Sequence, residues 1–240
     1  MSAAAYFEKA QEALKKVATE QAASIRQAAG MLVDAIANDN SIFGFGASHS
    51  FMVVEEMVYR TGGLMLINPV YPQGMNLLVR PTTLTSQLER LEGLGQTLLD
   101  SAPVQPGDVL IVASTSGRNA VAIDIAAHAR ELGLRTIGIT SFDYTKGVTS
   151  RHSSGKKLIN ICDVMIDNGA PYGDACVEVE GFADKVGPLS SVTACAVVNA
   201  LVSEVVAILV ERGVDPPVYM SANVDGGDEH NARLLEANQH

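Results

Sequence analysis

Asp108-Val109-Leu110-Ile111-Val112-Ala113-Ser114-Thr115-Ser116-Gly117-Arg118-Asn119 joins an unbroken apolar run to a polar turn. Continuous Val, Leu and Ile without polar alternation reads as a strand covered on both faces, the habit of parallel sheets. The turn leads into a helix predicted over 119–132. Upstream, Ser41-Ile42-Phe43-Gly44-Phe45-Gly46 reads as another strand, and Ala47-Ser48-His49 opens a helix predicted over 48–60. The alternation continues with strands at 64–67, 135–140 and 159–166 and helices at 84–100 and 188–212. A long helix over 3–38, bent at Gly30, precedes it all and ends at Asn38-Asp39-Asn40. Strands separated by helices predict an α/β fold, a parallel sheet with right-handed crossovers that place helices on both faces. We divide the chain into an N-terminal helix, residues 1–38, packing on the domain or on a partner subunit, and a domain over 39–240 that ends in a polar tail. The loops 142–157 and 167–187 are long for such a fold, and long loops commonly carry binding groups.

Composition narrows the function. The chain of 240 residues has 27 acidic and 17 basic side chains, a formal charge of −10. That argues against nucleic acid, whose phosphates need clustered Lys and Arg, but not against a small anion held by a local field. Apolar runs fall short of the ~20 residues that span a bilayer, and the first residues lack the basic start and apolar core of a secretory signal. Three widely spaced cysteines (Cys162, Cys176, Cys195) read as reduced thiols of a cytoplasmic protein rather than a disulfide framework or zinc knuckle.

Both strand-to-helix turns suit an anion. Gly44 and Gly46 permit a tight turn and close approach of backbone to ligand, and Ser48 adds a hydroxyl beside the free N–H groups of a helix start. The segment is a Gly-x-Gly without the third glycine of a dinucleotide fingerprint, and no acid ends strand 64–67 to hold a ribose, so an oxidoreductase is disfavoured. Ser114, Thr115, Ser116, Gly117 and Asn119 offer more donors than a helix cap needs. Arg118 at a helix start is poorly placed for the dipole, which favours an anion or partner contact there. Both turns sit at strand carboxyl ends, where open α/β sheets bind ligands.

This pair of turns, in this order and spacing, with the Gly133 turn, the Thr136–Thr140 strand and the late helix after Gly187-Pro188-Leu189-Ser190-Ser191, resembles the sugar isomerase (SIS) domain family over about residues 35–212. More narrowly it is similar to a bacterial branch, ending Pro216-Pro217-Val218 through Asn231, that is compared with phosphoheptose isomerases. The resemblance implies a three-layer α/β/α sandwich with a five-stranded parallel sheet (flavodoxin-like), a phosphorylated sugar as ligand, and a homodimer or homotetramer. Carried onto this chain, Ser48, Ser114, Ser116 and Asn119 hold the phosphate, Thr115 and Gly117 donate from the backbone, and Gly46 and Ser191 complete the site. Most of the family has Ser or Thr where this chain has Asn119.

An aldose–ketose isomerase also needs an acid–base. Glu55 lies seven residues beyond Ser48 on the expected helix, and Glu56 lies seven beyond His49, so each pair shares a face. His49 and Glu55 or Glu56 are therefore candidates. His230, in a tail dense with polar groups expected to fold over its own pocket or a neighbouring subunit's, is a candidate for ring opening. The zinc-binding positions of phosphoheptose isomerases fall near Val54 and Val58, with Ser191 and Asn199 on the late helix, so we expect neither metal nor cofactor. The competing readings are a non-catalytic phosphosugar sensor and another reaction at the same pocket, deamination of an amino-sugar phosphate or ether cleavage.

Overall fold

The five apolar runs become five parallel strands: β1 (Ile42–Gly46), β2 (Ile67–Pro69), β3 (Val109–Ala113), β4 (Arg135–Thr140) and β5 (Val164–Asp167). The computed structural model describes residues 2–238. The strand order is β2-β1-β3-β4-β5, parallel throughout. The chain leaves β1 toward β2, returns to β3 on the other side of β1, and continues outward. The direction of winding therefore reverses between β1 and β3, which opens a crevice at their carboxyl ends.

Alternate residues of each strand feed two separate cores. Ile42, Ile111, Ile137 and Ile166 pack under α2 (Ala22–Ala37), α3 (Phe51–Glu55) and α8 (Ser190–Glu211), against Leu32, Val53 and Leu201 among others. Phe43, Phe45, Leu110 and Val112 pack under α5 (Leu94–Asp100) and α6 (Ala120–Glu131), against Leu99, Ile123 and Ile125. The result is the expected three-layer α/β/α sandwich. The helix α8 has the length and mean hydropathy, 2.1, of a bilayer-crossing helix, and its buried residues line the first of these cores.

Several expected boundaries move, each for a local reason. The N-terminal helix is two helices, α1 (Ser2–Glu20) and α2, broken at Gln21 rather than at Gly30. Gln21 is buried, and its side-chain oxygen accepts the N–H of Asp167 at the end of β5 (3.1 Å). Gly30 has open space beside it and leaves α2 unbroken. The helix expected over 48–60 is one 3-10 turn, Ser48–Ser50, followed by the short α3. The helix expected over 84–100 divides into α4 (Thr83–Leu88) and α5 at Gly93, whose φ of 84° no helix interior admits. Strand β2 starts where the expected one ends, and Leu64 instead bridges Val218. A 3-10 turn, Leu158–Asn160, occupies the start of the fifth expected strand. The long loops hold α7 (Phe142–Lys146) and an antiparallel hairpin of β6 (Ala175–Val177) and β7 (Val186–Pro188), and the polar tail folds as α9 (Gly227–Ala237).

Candidate functional site

The register Gly46↔Ala113 sets the turn after β1 directly beside the turn after β3, so Ser48 and Ser116 open on the same edge of the sheet. The first turn is built by close approach. A Cβ on Gly46 would lie 2.3 Å from the Ser50 carbonyl oxygen. Ser48 takes a φ of 55°, the left-handed region that a non-glycine residue rarely enters, and its N–H donates to the Met75 carbonyl (3.1 Å). Strain of this kind persists where surrounding structure imposes it, commonly at ligand sites.

The second turn is held by its carbonyls. Those of Thr115, Ser116, Gly117 and Arg118 accept, in order, from Ser141 N–H (2.9 Å), Thr145 Oγ1 (3.1 Å), Leu158 N–H (2.9 Å) and Arg151 N–H (2.9 Å). With these four carbonyls drawn to the segment 141–158, the turn keeps donors free. Among the described residues, the N–H groups of Thr115, Ser116, Arg118 and Asn119 and the hydroxyls of Ser48, Ser114, Thr115 and Ser116 have no hydrogen-bond partner. Successive outward N–H groups of this kind form an anion-binding concavity.

Two expected phosphate ligands are engaged elsewhere. The Gly117 N–H closes the turn onto the Ser114 carbonyl (3.1 Å) and is not free to donate. The role of Gly117 is conformational: its φ is 61°, and a Cβ there would press on Thr140 Oγ1 at 2.9 Å. The Asn119 amide donates to Glu89 Oε2 (2.6 Å) and accepts from Arg151 Nη1 (2.9 Å). Ser191 lies in the first turn of α8. The pairs Arg26–Glu204 (2.7 Å) and Arg212–Asp34 (3.3 Å) show that α2 and α8 run in the same direction. Since α2 delivers the chain to the amino end of β1, α8 begins at the carboxyl edge, and Ser191 shares that edge with the turns.

The proposed proton-moving residues fare unequally. His49 is exposed at the first turn. Glu55 is exposed at the end of α3 and reaches no described side chain. Because the segment 48–55 is not one continuous α-helix, the seven-residue spacing does not place Glu55 beneath Ser48. Glu56 is ion-paired with Arg60 and accepts from Asn199 Nδ2 (2.7 Å), a link between α3 and α8. Within its own chain, His230 lies at the end of the sheet opposite the two turns. Its Nε2 donates to the carbonyl of Val218 (3.0 Å), and Val218 bridges Leu64, ahead of β2 and beyond the amino edge of the sheet. A strand length, about 15 Å, separates the two ends. A cavity of about 320 Å³ lined by Tyr59, Arg60, Tyr219 and Asn231 lies at that distal end too. Among the described residues, no three His, Cys, Asp or Glu side chains group closely enough for a metal ion.

Sequence reading missed Glu89, Arg90 and Arg151. The Glu89 carbonyl accepts the N–H of Val121 in the first turn of α6 (3.2 Å), which ties the end of α4 to the turn. Burial pushes the Glu89 carboxyl above its usual range, opposed by the Asn119 amide and by the charges of Arg151, Arg90 and His49. Arg151 stands 32 residues beyond Asn119. No local pattern marks such a partner; only the fold of the loop 142–157 over α6 brings it there. Asp124 of α6 holds both neighbours of this corner, accepting the Gly93 N–H (2.6 Å) and His152 Nε2 (2.8 Å). The thiols stand apart from the site; burial pushes that of Cys162 up to about 12.

Comparison with known proteins agrees with the fold. The family model described as SIS domain matches residues 5–141. A UPF0309 protein of Oceanobacillus iheyensis is 45% identical over 231 residues, covering 96% of this chain and 94% of its own. A UPF0309 protein of Streptomyces coelicolor is 42% identical, covering 96% and 92%. Among solved structures, a phosphoheptose isomerase from Neisseria gonorrhoeae superposes with a TM-score of 0.57 at 18% identity, covering 85% of this chain and 97% of that one. One from Francisella tularensis gives 0.55 at 16%, covering 83% and 94%. At such identities the likeness establishes a common fold.

Proposed function

This chain belongs to the SIS domain family, and on that footing we propose that it is a cytoplasmic sugar-phosphate isomerase that grips its ligand's phosphate between Ser48 and the 114–119 turn. The observation that carries the reading is the donor set itself: four hydroxyls and four N–H groups without partners, on one edge, at the reversal point of the sheet. A phosphate monoester brings three strong acceptor oxygens and a charge near −2. Ser48, Ser114 and Ser116 donate hydroxyls, Thr115 donates its N–H, and the start of α6 adds its dipole. Asn119 acts at one remove, by fixing Arg151 and Glu89 beside the turn.

For proton transfer we place Glu89 and His49 ahead of Glu55, Glu56 and His230. A carboxyl raised by burial is closer to the operating pH of a general acid–base than a solvated one. Isothermal titration with hexose, hexosamine and heptose phosphates tests the phosphate role. Ser116→Ala is expected to weaken the binding ester about tenfold, the worth of one charge-assisted hydrogen bond. Equal affinity in both proteins removes the role.

One observation favours a sensor without catalysis: the helix carboxylates are exposed or paired with Arg60. Exchange of the C2 proton of a bound ester with solvent, followed by NMR, separates the two readings. An isomerase exchanges it and Glu89→Gln slows the exchange; a sensor does not exchange it.

A further inference from the structure

Two guanidinium groups, of Arg118 and Arg151, gather at one rim of the 114–119 turn, and the charge of Arg90 acts on the same corner. The Arg151 N–H donates to the Arg118 carbonyl (2.9 Å), so the loop 147–157 is fastened to the turn with both side chains on the same corner. Arg151 Nη1 is held by Asn119 Oδ1 (2.9 Å), and Arg118 Nη2 touches Thr149 Oγ1 at 3.3 Å. Arg90 follows Glu89, whose carboxylate meets the same Asn119 from the other side.

Cations so close normally bring carboxylates with them, above all in a chain with 27 acids and 17 bases. Among the described residues, none of these three arginines has a carboxylate oxygen within 4 Å, whereas five of the other seven, Arg26, Arg60, Arg130, Arg135 and Arg212, do. The other acids at the corner are engaged. Glu92 accepts from Ser153 N–H and Oγ (2.7 and 2.6 Å), Asp124 from Gly93 and His152, and Glu89 from Asn119, its charge disfavoured by burial. Arg118 Nε is buried without any partner. Arg151 is exposed, and partial desolvation followed by the like charges of Arg118 and Arg90 lowers its pKa. A folded protein that accumulates repelling charges and an unsatisfied donor in one place is offset by a ligand that satisfies them.

The phosphate ester alone does not account for this. Its oxygens are matched by the hydroxyls and N–H groups of the turns, and three arginines exceed its charge of about −2. Resting on the phosphate reading above, we infer that the ligand carries a second anionic group, a carboxylate or a further phosphoryl, received by the guanidinium forks of Arg118 and Arg151 with Arg90 adding charge behind them. Paired oxygens on one planar or tetrahedral centre are what such forks bind. The substrate class is accordingly a sugar phosphate with an acidic second terminus, such as a phosphosugar acid or a sugar bisphosphate.

The probes are fructose 6-phosphate, fructose 1,6-bisphosphate and 6-phosphogluconate, titrated calorimetrically at one ionic strength. The second arm reads a second phosphoryl and the third a carboxylate. At least one of them is expected to bind roughly tenfold or more tightly than fructose 6-phosphate, the gain of a bidentate charged contact. The double variant R118Q/R151Q erases that preference, bringing the doubly anionic probe down to the affinity of fructose 6-phosphate for the same variant. Arg151→Lys, which keeps the charge but not the fork, serves if the double variant is shown by circular dichroism to be unfolded; it retains only part of the preference. Equal wild-type affinities for all three probes, or a preference that survives loss of both arginines, overturns the inference while fructose 6-phosphate binding that depends on Ser116 still upholds the phosphate site. Binding of no probe, or binding indifferent to Ser116→Ala, overturns the phosphate reading and the second-anion inference with it.

Discussion

Gly46 shows how much of the site rests on a missing side chain. The first turn folds back so tightly that the space for a Cβ is taken by the Ser50 carbonyl, 2.3 Å away. That oxygen is backbone and cannot rotate aside. Gly46→Ala must therefore shift the 3-10 turn and with it Ser48, whose φ of 55° is imposed by the same fold-back. The expected cost is about 1–3 kcal/mol, in the range of overpacked cores, read by urea unfolding, together with weaker phosphate-ester binding. Unfolding within about 0.5 kcal/mol of wild type, the range of neutral surface changes, would contradict the geometry.

Glu89 makes a prediction of sign at the same scale. Its carboxyl is raised above the ordinary 4.5, burial being the main cause. Between that value and the raised one, the folded protein holds a proton that the unfolded chain has released. Stability is then unaffected below 4.5 and falls as pH rises through the raised value. Glu89→Gln keeps an acceptor for Asn119 and has no proton to lose. Urea unfolding in steps from about pH 4 to 7 is expected to show a shallower decline in the variant than in wild type. Parallel curves would assign the decline to other groups.

At the scale of elements, the position of one break is decided by tertiary contact. Gln21 divides α1 from α2 because its oxygen is needed at the end of β5, where it satisfies the Asp167 N–H (3.1 Å). Gln21→Ala leaves that buried donor unpaired, at an expected cost of about 1–3 kcal/mol; Gln21→Glu retains an acceptor and is expected to cost less. Denaturant midpoints of the two variants measure the difference, and an Ala variant as stable as wild type would show the bond to be unimportant.

The same example explains what was legible in the sequence. Apolar periodicity located β1, β3, β4, α6 and α8 to within about two residues, because their burial is encoded locally by Val, Ile, Leu and Ala. The two hydroxyl-bearing turns followed from those elements. The helix over 48–60 was misjudged because composition does not report the left-handed Ser48, and the break went to Gly30 because propensity ranks Gly as the weaker helix former. Glu89 and Arg151 were invisible for another reason: each acquires its role from Asn119, 30 and 32 residues away.

At the scale of the whole molecule, the exposed surface exceeds that of a compact monomer. A compact monomer of this mass exposes about 10,300 Å², whereas this chain of 25.3 kDa exposes 12,109 Å². Much of the surplus lies on helices. Of the 19 residues of α1, only Ala10, Ala13 and Val17 are buried, and Phe7 is 66% exposed. On the outer face of α8, Val192 and Val210 stand in solvent. A second copy covering such faces removes about 800 Å² from each partner, the scale of a stable interface. We therefore expect light scattering to give at least twice 25.3 kDa, and Phe7→Lys with Val210→Lys to shift the population toward monomer. Salt provides an independent check. Each chain carries a charge of −10, so copies that meet through apolar helices do so against like-charge repulsion, and screening it should strengthen the assembly. An assembly held by ion pairs between subunits would weaken with salt instead, and a monomer at every salt concentration would leave the exposed faces of α1 and α8 without a partner of their own kind.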